Sequence, residues 1–182
     1  MKIVSSKIPD IKIIEPTVHG DDRGYFFESY KEERFIEKNL PVGYIQENQA
    51  KSQKGVLRGL HYQLEHPQGK LVTVPYGRVW DVAVDLRQSS ETFGQWIGIE
   101  ISQDNHRSVY IPQGFAHGYC VLSEEAIFQY KCTDTYHPED EYGLLWNDAD
   151  LGITWPIKTP LISEKDLKHP ILNIIQKEKL FA

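Results

Sequence analysis

From residue 54 to residue 134 the chain carries apolar residues at every second position or in short runs. Gly, Pro, Asn, Asp or Ser bounds each run, which is the pattern of β-strands. "KLVTVPYGRVWDVAVDLR" (70–87) predicts a hairpin, two β-rich runs around "PYGR", with Pro75 and Gly77 as turn residues. Further strands are expected in "QWIGIEIS", "RSVYIP", "AHGYCVL" and "AIFQYKCTD". Helical spacing is confined to "KEERFIEKNL" (31–40), with Phe35, Ile36 and Leu40, and to "SEKDL" (163–167), with Ser163 as N-cap. No repeat, low-complexity tract or linker interrupts the pattern. One all-β domain over 1–182, a sandwich or barrel with short peripheral helices, is the expectation.

"KGVLRGLHYQ" (54–63) departs from this pattern. It reads as a core strand, yet it carries Arg58 and His61 three positions apart. A period of two sends residues three apart to opposite faces. Either Arg58 lies outside and His61 is a hydrogen-bonded core residue, or Gly59 shifts the phase with a bulge so that both line one pocket. Gln46 and Asn48 share a face if "YIQENQAKS" is extended, and Lys70 opens the next strand. Asp81 and Asp85 share a face with Ala83, an acid face that is either solvated or part of a polar cavity.

Composition narrows the partners. At 182 residues, with 40% apolar content and a net charge of −6, the chain reads as globular and a poor match to nucleic acid or an anionic membrane. No apolar run of membrane-spanning length occurs, and the N-terminus lacks the h-region of a signal peptide. The cytoplasm is therefore expected. Cys120 and Cys132, in separate strand-like stretches, are expected to be buried reduced thiols.

"PQGFAHGYCVL", a Pro-x-Gly turn before His117, resembles the second motif of the cupin family. The first motif is present in altered form: Gly55, five residues, His61-Tyr62-Gln63, then Lys70, six residues and Gly77. Where many cupins place two histidines and a glutamate, this chain offers His, Gln and Lys. An ammonium cannot ligate a cation, and an amide is a poor substitute for imidazole. A jelly-roll barrel without the metal site is implied, and no cofactor.

Together "DDRGYFFESY", "GVLRGLHYQ", "QGKLV", "PQGFAHGY", "YKCTDTYHPEDE" and "LISEKD" resemble the dTDP-4-dehydrorhamnose 3,5-epimerases, in order, from about residue 21 to Asp166. The resemblance implies a dTDP-4-keto-6-deoxyhexose substrate, inverted at C3 and C5 through an enolate of its C4 ketone. By that resemblance His61 is the base, Asp166 holds its imidazole, Lys70 stabilises the enolate oxygen and Tyr130 is the opposing acid. Arg58 falls on a position near the diphosphate and Tyr136 on the thymine-stacking aromatic. Gln46, Glu47, Asn48, His117, Glu141 and Lys165 fall on further substrate-contact positions. Arg23 and Glu28 match residues that reach the nucleotide from the partner of a homodimer.

Structural readings stand beside several of these. Asp166 follows Ser163 by three, as in a capping box, and Tyr130 alternates with Phe128 and Cys132 like a core tyrosine. Gln46-Glu47-Asn48 replaces a frequent Gln-Asp-Asn, Gln49 follows it, and Ala50 stands where Ser is frequent, which leaves the exact sugar and base open. The alternatives are a single-site epimerase, a 3,4-ketoisomerase, a metal-dependent sugar enzyme, or a cupin that only binds a nucleotide-sugar.

Overall fold

The structure, a computed structural model, describes residues 1–182. Thirteen strands dominate: β1 (Lys2–Ser5), β2 (Lys12–Glu15), β3 (His19–Asp21), β4 (Gly24–Phe26), β5 (Gln46–Gln53), β6 (Leu57–Gln63), β7 (Lys70–Tyr76), β8 (Arg78–Asp85), β9 (Trp96–Ser102), β10 (Ser108–Ile111), β11 (Phe115–Val121), β12 (Glu125–Cys132) and β13 (Glu141–Gly143). They form a six-stranded sheet, β1-β2-β10-β7-β12-β5, facing a five-stranded sheet, β13-β6-β11-β8-β9, with β3 and β4 as a separate ribbon. This is the jelly-roll architecture of the cupins, all-β as expected. No helix is long and apolar enough to cross a membrane.

The hairpin expected over 70–87 does not form. β7 pairs with β10 and β12, whereas β8 pairs with β11 and β9, so the two runs belong to opposite sheets. Pro75 has no N–H for a ladder, and the β7–β12 register slips opposite it. Gly77 then turns the corner with φ +78°, packed so closely on Glu125 and Ala126 that a Cβ has no room. The helical expectations also shrink. The first helix, α1, is one and a half turns, Glu32–Glu37, and Asp166–Lys168 is a single 3₁₀ turn. The N-cap of that turn is Lys165 rather than Ser163, although Ser163 Oγ still accepts the Asp166 amide at 3.1 Å.

Two apolar layers explain why β11 is buried along its whole length. Between the sheets lie Val72, Val79, Ile101, Val109, Phe115, Val121 and Phe128, with Tyr119 and Phe128 stacked at 3.8 Å. On the outer face of the smaller sheet, Leu60, Val82, Val84 and Ala116 are covered by the C-terminal segment through Leu144, Leu172 and Leu180. Strands buried on both faces lose clean alternation, so "FAHGYCV" reads as a near-continuous run. Cys120 and Cys132 are buried free thiols.

Gly59 settles the phase of β6. Arg58 lies opposite Tyr119 and His61 opposite His117, so three steps along β6 match two along β11. One extra residue is accommodated, and both side chains turn inward. Gly59 takes φ +113°, and an added Cβ would lie 2.6 Å from the Gly118 Cα. Gly59→Ala is expected to cost about 1–3 kcal/mol from backbone strain and this contact. Urea denaturation measures it; an unchanged midpoint would mean that the bulge does not need glycine.

Candidate active site

The inward faces of the two sheets enclose a cavity of about 510 Å³. Its walls carry Arg58, His61, His117 and Asp166 from the side of the smaller sheet. Lys70 and Tyr130 come from β7 and β12 of the larger sheet. Strand period and bulge put these groups there: Tyr119 and His117 alternate inward on β11, and Asp81 and Ala83 face them from β8.

His61 is held at one nitrogen. The Asp166 carboxylate accepts from its Nε2 at 2.8 Å through Oδ1, while Oδ2 accepts the Gly59 amide at 3.2 Å. A carboxylate only accepts, so the neutral ring keeps its lone pair on Nδ1. Nδ1 lies 3.8 Å from Glu141 Oε1, a second carboxylate beside the ring. Burial raises the Asp166 carboxyl, but hydrogen bonds with His169 and His61, the charge of His61 and the Gly59 amide pull it far below the usual carboxylate range. Asp166 is thus anionic at any working pH. Its amide bonds Ser163 Oγ while its side chain anchors the imidazole, so the two roles do not compete.

Lys70 forms no ion pair. Burial lowers its ammonium below the ordinary lysine value, and Cys132, Glu141 and Asp81 oppose that only in part. It stands 5.9 Å from the centre of the Tyr130 ring. Burial likewise pushes the Tyr130 phenol up to about 12, with Cys132 adding to the effect, so it is a neutral proton donor near pH 7. His117 Nε2 bonds the buried Asp81 at 2.8 Å, a second imidazole–carboxylate pair in the same wall. The acid face of β8 is therefore buried: Asp81 serves the cavity, and Asp85 is tied to Arg87, Ser90 and Thr92.

Around the rim, Arg58 donates to Ser52 Oγ at 3.2 Å through Nε and Nη2. Gln46 and Asn48 share a face and bond each other at 3.0 Å, and Gln46 Oε1 accepts the Tyr136 amide at 2.8 Å. The Tyr136 hydroxyl and the Lys165 ammonium both bond Glu141. Lys165 also lines the cavity.

Other sequence candidates lie elsewhere. Glu47, one step out of phase with Gln46 and Asn48, pairs with Lys131 at 2.8 Å beside a separate cavity lined by Tyr25 and Phe27. Arg23 and Glu28 sit on or beside the exposed β3–β4 ribbon, bonded to Asp21 and Arg34. Gln63, at the cupin metal-ligand position, is buried and ties backbone groups of His66, Thr135 and His137 instead. His169, which the motifs did not single out, lies 3.5 Å from Asp166 Oδ1 and edge-on to His61. Its sequence neighbourhood, three residues after Asp166 on a turn, was the available signal.

A polar pocket inside a jelly roll, with an anchored imidazole on one wall and a cation and a phenol on the other, defines an acid–base enzyme. Comparison with known proteins makes the class specific: the chain belongs to the dTDP-4-dehydrorhamnose 3,5-epimerase family, whose model matches residues 5–173. It is 54% identical to the dTDP-4-dehydrorhamnose 3,5-epimerase of Pseudomonas aeruginosa over 91% of this chain and 93% of that one. The enzyme of that name from Shigella flexneri is 52% identical over 92% and 93%. A crystal structure of the Legionella pneumophila 3,5-epimerase in complex with dTDP-4-keto-L-rhamnose superimposes with a TM-score of 0.95. It is 49% identical and covers 99% of this chain and 97% of that one. The chain is accordingly an isomerase, an epimerase of this family.

Proposed function

We propose that this protein inverts C3 and C5 of dTDP-4-dehydro-6-deoxy-D-glucose to give dTDP-4-dehydro-L-rhamnose, using His61 as base and Tyr130 as acid. One observation carries the assignment of roles: His61 with Asp166, and Lys70 with Tyr130, stand on opposite walls of the same cavity. Inversion needs a proton removed from one face and returned to the other. Protons on C3 and C5 are acidic because each flanks the C4 ketone. His61 Nδ1 takes the proton, and the carboxylates of Asp166 and Glu141 stabilise the imidazolium. The Lys70 ammonium lies ready for the charge that grows on the enolate oxygen, where preorganised charge acts strongly in a confined site. Tyr130 returns a proton from the far wall, and solvent restores both groups.

The nucleotide half calls for cations and an aromatic platform. Arg58, hydrogen-bonded but without a carboxylate partner, suits a diphosphate oxygen. Tyr136, half exposed beside Gln46 and Glu141, suits a base. Lys165 and His117 complete the polar lining. Arg23 and Glu28 reach no part of this cavity within one chain, so we place them in the site of a second copy, in a homodimer. Two buried free thiols suit the reducing cytoplasm.

Proton NMR of the protein with dTDP-4-keto-6-deoxy-D-glucose in D₂O tests the reaction. Loss of both the C3 and C5 proton signals is expected. Exchange at one carbon would replace this reading with single-site epimerisation, and no exchange by folded protein would overturn it.

A further inference from the structure

Away from the cavity, two histidines and an aspartate converge where two loops meet. His66 and His137 stack ring on ring, centroids 3.9 Å apart and planes 14° from parallel. One donor atom from each of His66, Asp134 and His137 lies within 4.8 Å of the other two.

The backbone on both sides is held in place. Buried Asp140 accepts the amides of Leu64, Glu65 and His66 at 3.2, 3.1 and 2.8 Å. The Gln63 side chain donates to the carbonyls of His66 and Thr135 at 2.7 and 3.1 Å and accepts the His137 amide at 2.9 Å. Gln68 donates to the Asp134 carbonyl at 3.0 Å. Three donors of the right kind are thus carried on two segments already joined.

We propose that His66, Asp134 and His137 bind a divalent transition-metal ion, zinc in the first instance, which clasps the loop after β6 to the segment after β12. Two imidazoles and a carboxylate form an N/O donor set that suits zinc, with water completing the coordination. One ion cannot lie in the planes of two parallel rings, so exposed His66 turns out of the stack to bind. His137 exchanges for the metal one of its present partners, Thr135 at 3.0 Å from Nε2 or Glu139 at 3.3 Å from Nδ1. The ion takes no part in proton transfer. It braces the segments that lead to Lys70 on one side and to Tyr136 and Glu141 on the other.

The test titrates zinc alone into full-length, chelator-stripped protein, followed by calorimetry and thermal melting. About one equivalent is expected, with a melting temperature that rises as free zinc exceeds Kd. His66→Gln and His137→Asn are each expected to weaken binding roughly tenfold or more and to abolish the rise. His61→Asn and His169→Phe are expected to leave both unchanged. Histidine C–H resonances report the site independently, since His66 and His137 should shift together on zinc addition. Loss of binding in His61→Asn or His169→Phe, with binding intact in folded His66→Gln, would move the ion to the catalytic pair and overturn the proposal. So would the absence of saturable binding to the wild-type protein.

Discussion

Replacing His61 with asparagine is expected to lower kcat by about 10²–10⁴-fold, the usual contribution of a positioned general base. Asparagine keeps a polar group of similar size facing Asp166, so the anchor is not left as an unpaired buried charge, and the fold should hold. The amide has no lone pair basic enough to accept a carbon-bound proton. Exchange of the C3 and C5 protons with D₂O should fall by the same factor as turnover, because both begin with the same abstraction. Affinity for dTDP, measured by calorimetry, should change little, since Arg58 and Tyr136, not His61, are the proposed nucleotide contacts. Full turnover in a variant that still binds dTDP would remove His61 from the role of base. The pH profile gives a second check. Asp166 is held far below the usual carboxylate range, so its own protonation should leave no acidic limb on kcat/KM in the working range.

Lys70→Met is expected to separate function from stability. A methionine of similar length fills the space but supplies no charge, and losing one preorganised stabiliser of an oxyanion typically costs about 10²–10³-fold in rate. The fold should gain, because burial depresses the Lys70 ammonium and no carboxylate pairs with it. A lysine whose folded value is depressed binds fewer protons in the folded chain than in the unfolded one. Stability therefore rises with pH between the depressed value and the unfolded value near 10.4. Below that window the cost of burying the charge is present in full, and there Lys70→Met should melt higher than wild type. A gain of about 1 kcal/mol would raise the melting temperature by roughly 2–4 °C for a chain of this size. The gap should close as the pH approaches 10.4. A variant that is both slow and less stable would show that Lys70 is part of the packing rather than a poised charge.

The cost at Lys70 accompanies a wider pattern in the cavity. Apolar residues fill the barrel where the sheets meet at Val79, Ile101 and Phe128, whereas His61, His117, Lys70 and Tyr130 interrupt that core at one end. Each carboxylate there is bonded to a histidine or to a lysine–tyrosine pair, which leaves Lys70 and Arg58 as cations without a carboxylate partner. A site prepared for an anion is expected to look this way before the anion arrives.

Much of this was legible along the chain. Alternating or short apolar runs located seven of the strands, β6 to β12, because alternation and burial follow directly from the pleat. The ordered motifs located the family. The question raised by Arg58 and His61 could be posed from spacing alone, and Gly59 could be named as the place where the phase would change. Whether it does change depends on β11, since the bulge exists only in the register between two strands distant in sequence.

Other features had no local signal. "PYGR" carries the residues of a hairpin turn, yet β7 and β8 separate into opposite sheets, because each finds better-buried partners far along the chain. The pairing of Asp81 with His117 and of Asp166 with His61 spans 36 and 105 residues, and nothing in either segment announces its partner. Glu47 sits between two rim residues in sequence and on the opposite face in space, which is what a period of two requires once β5 is extended. Sequence by itself determined the all-β class and the central strands, since these depend on local pattern, while the jelly roll and the candidate reactive groups were implied by resemblance of the ordered motifs to a family. Only the tertiary structure decided which carboxylate meets which imidazole and which wall each group occupies, because sheet pairing is a long-range choice made by burial.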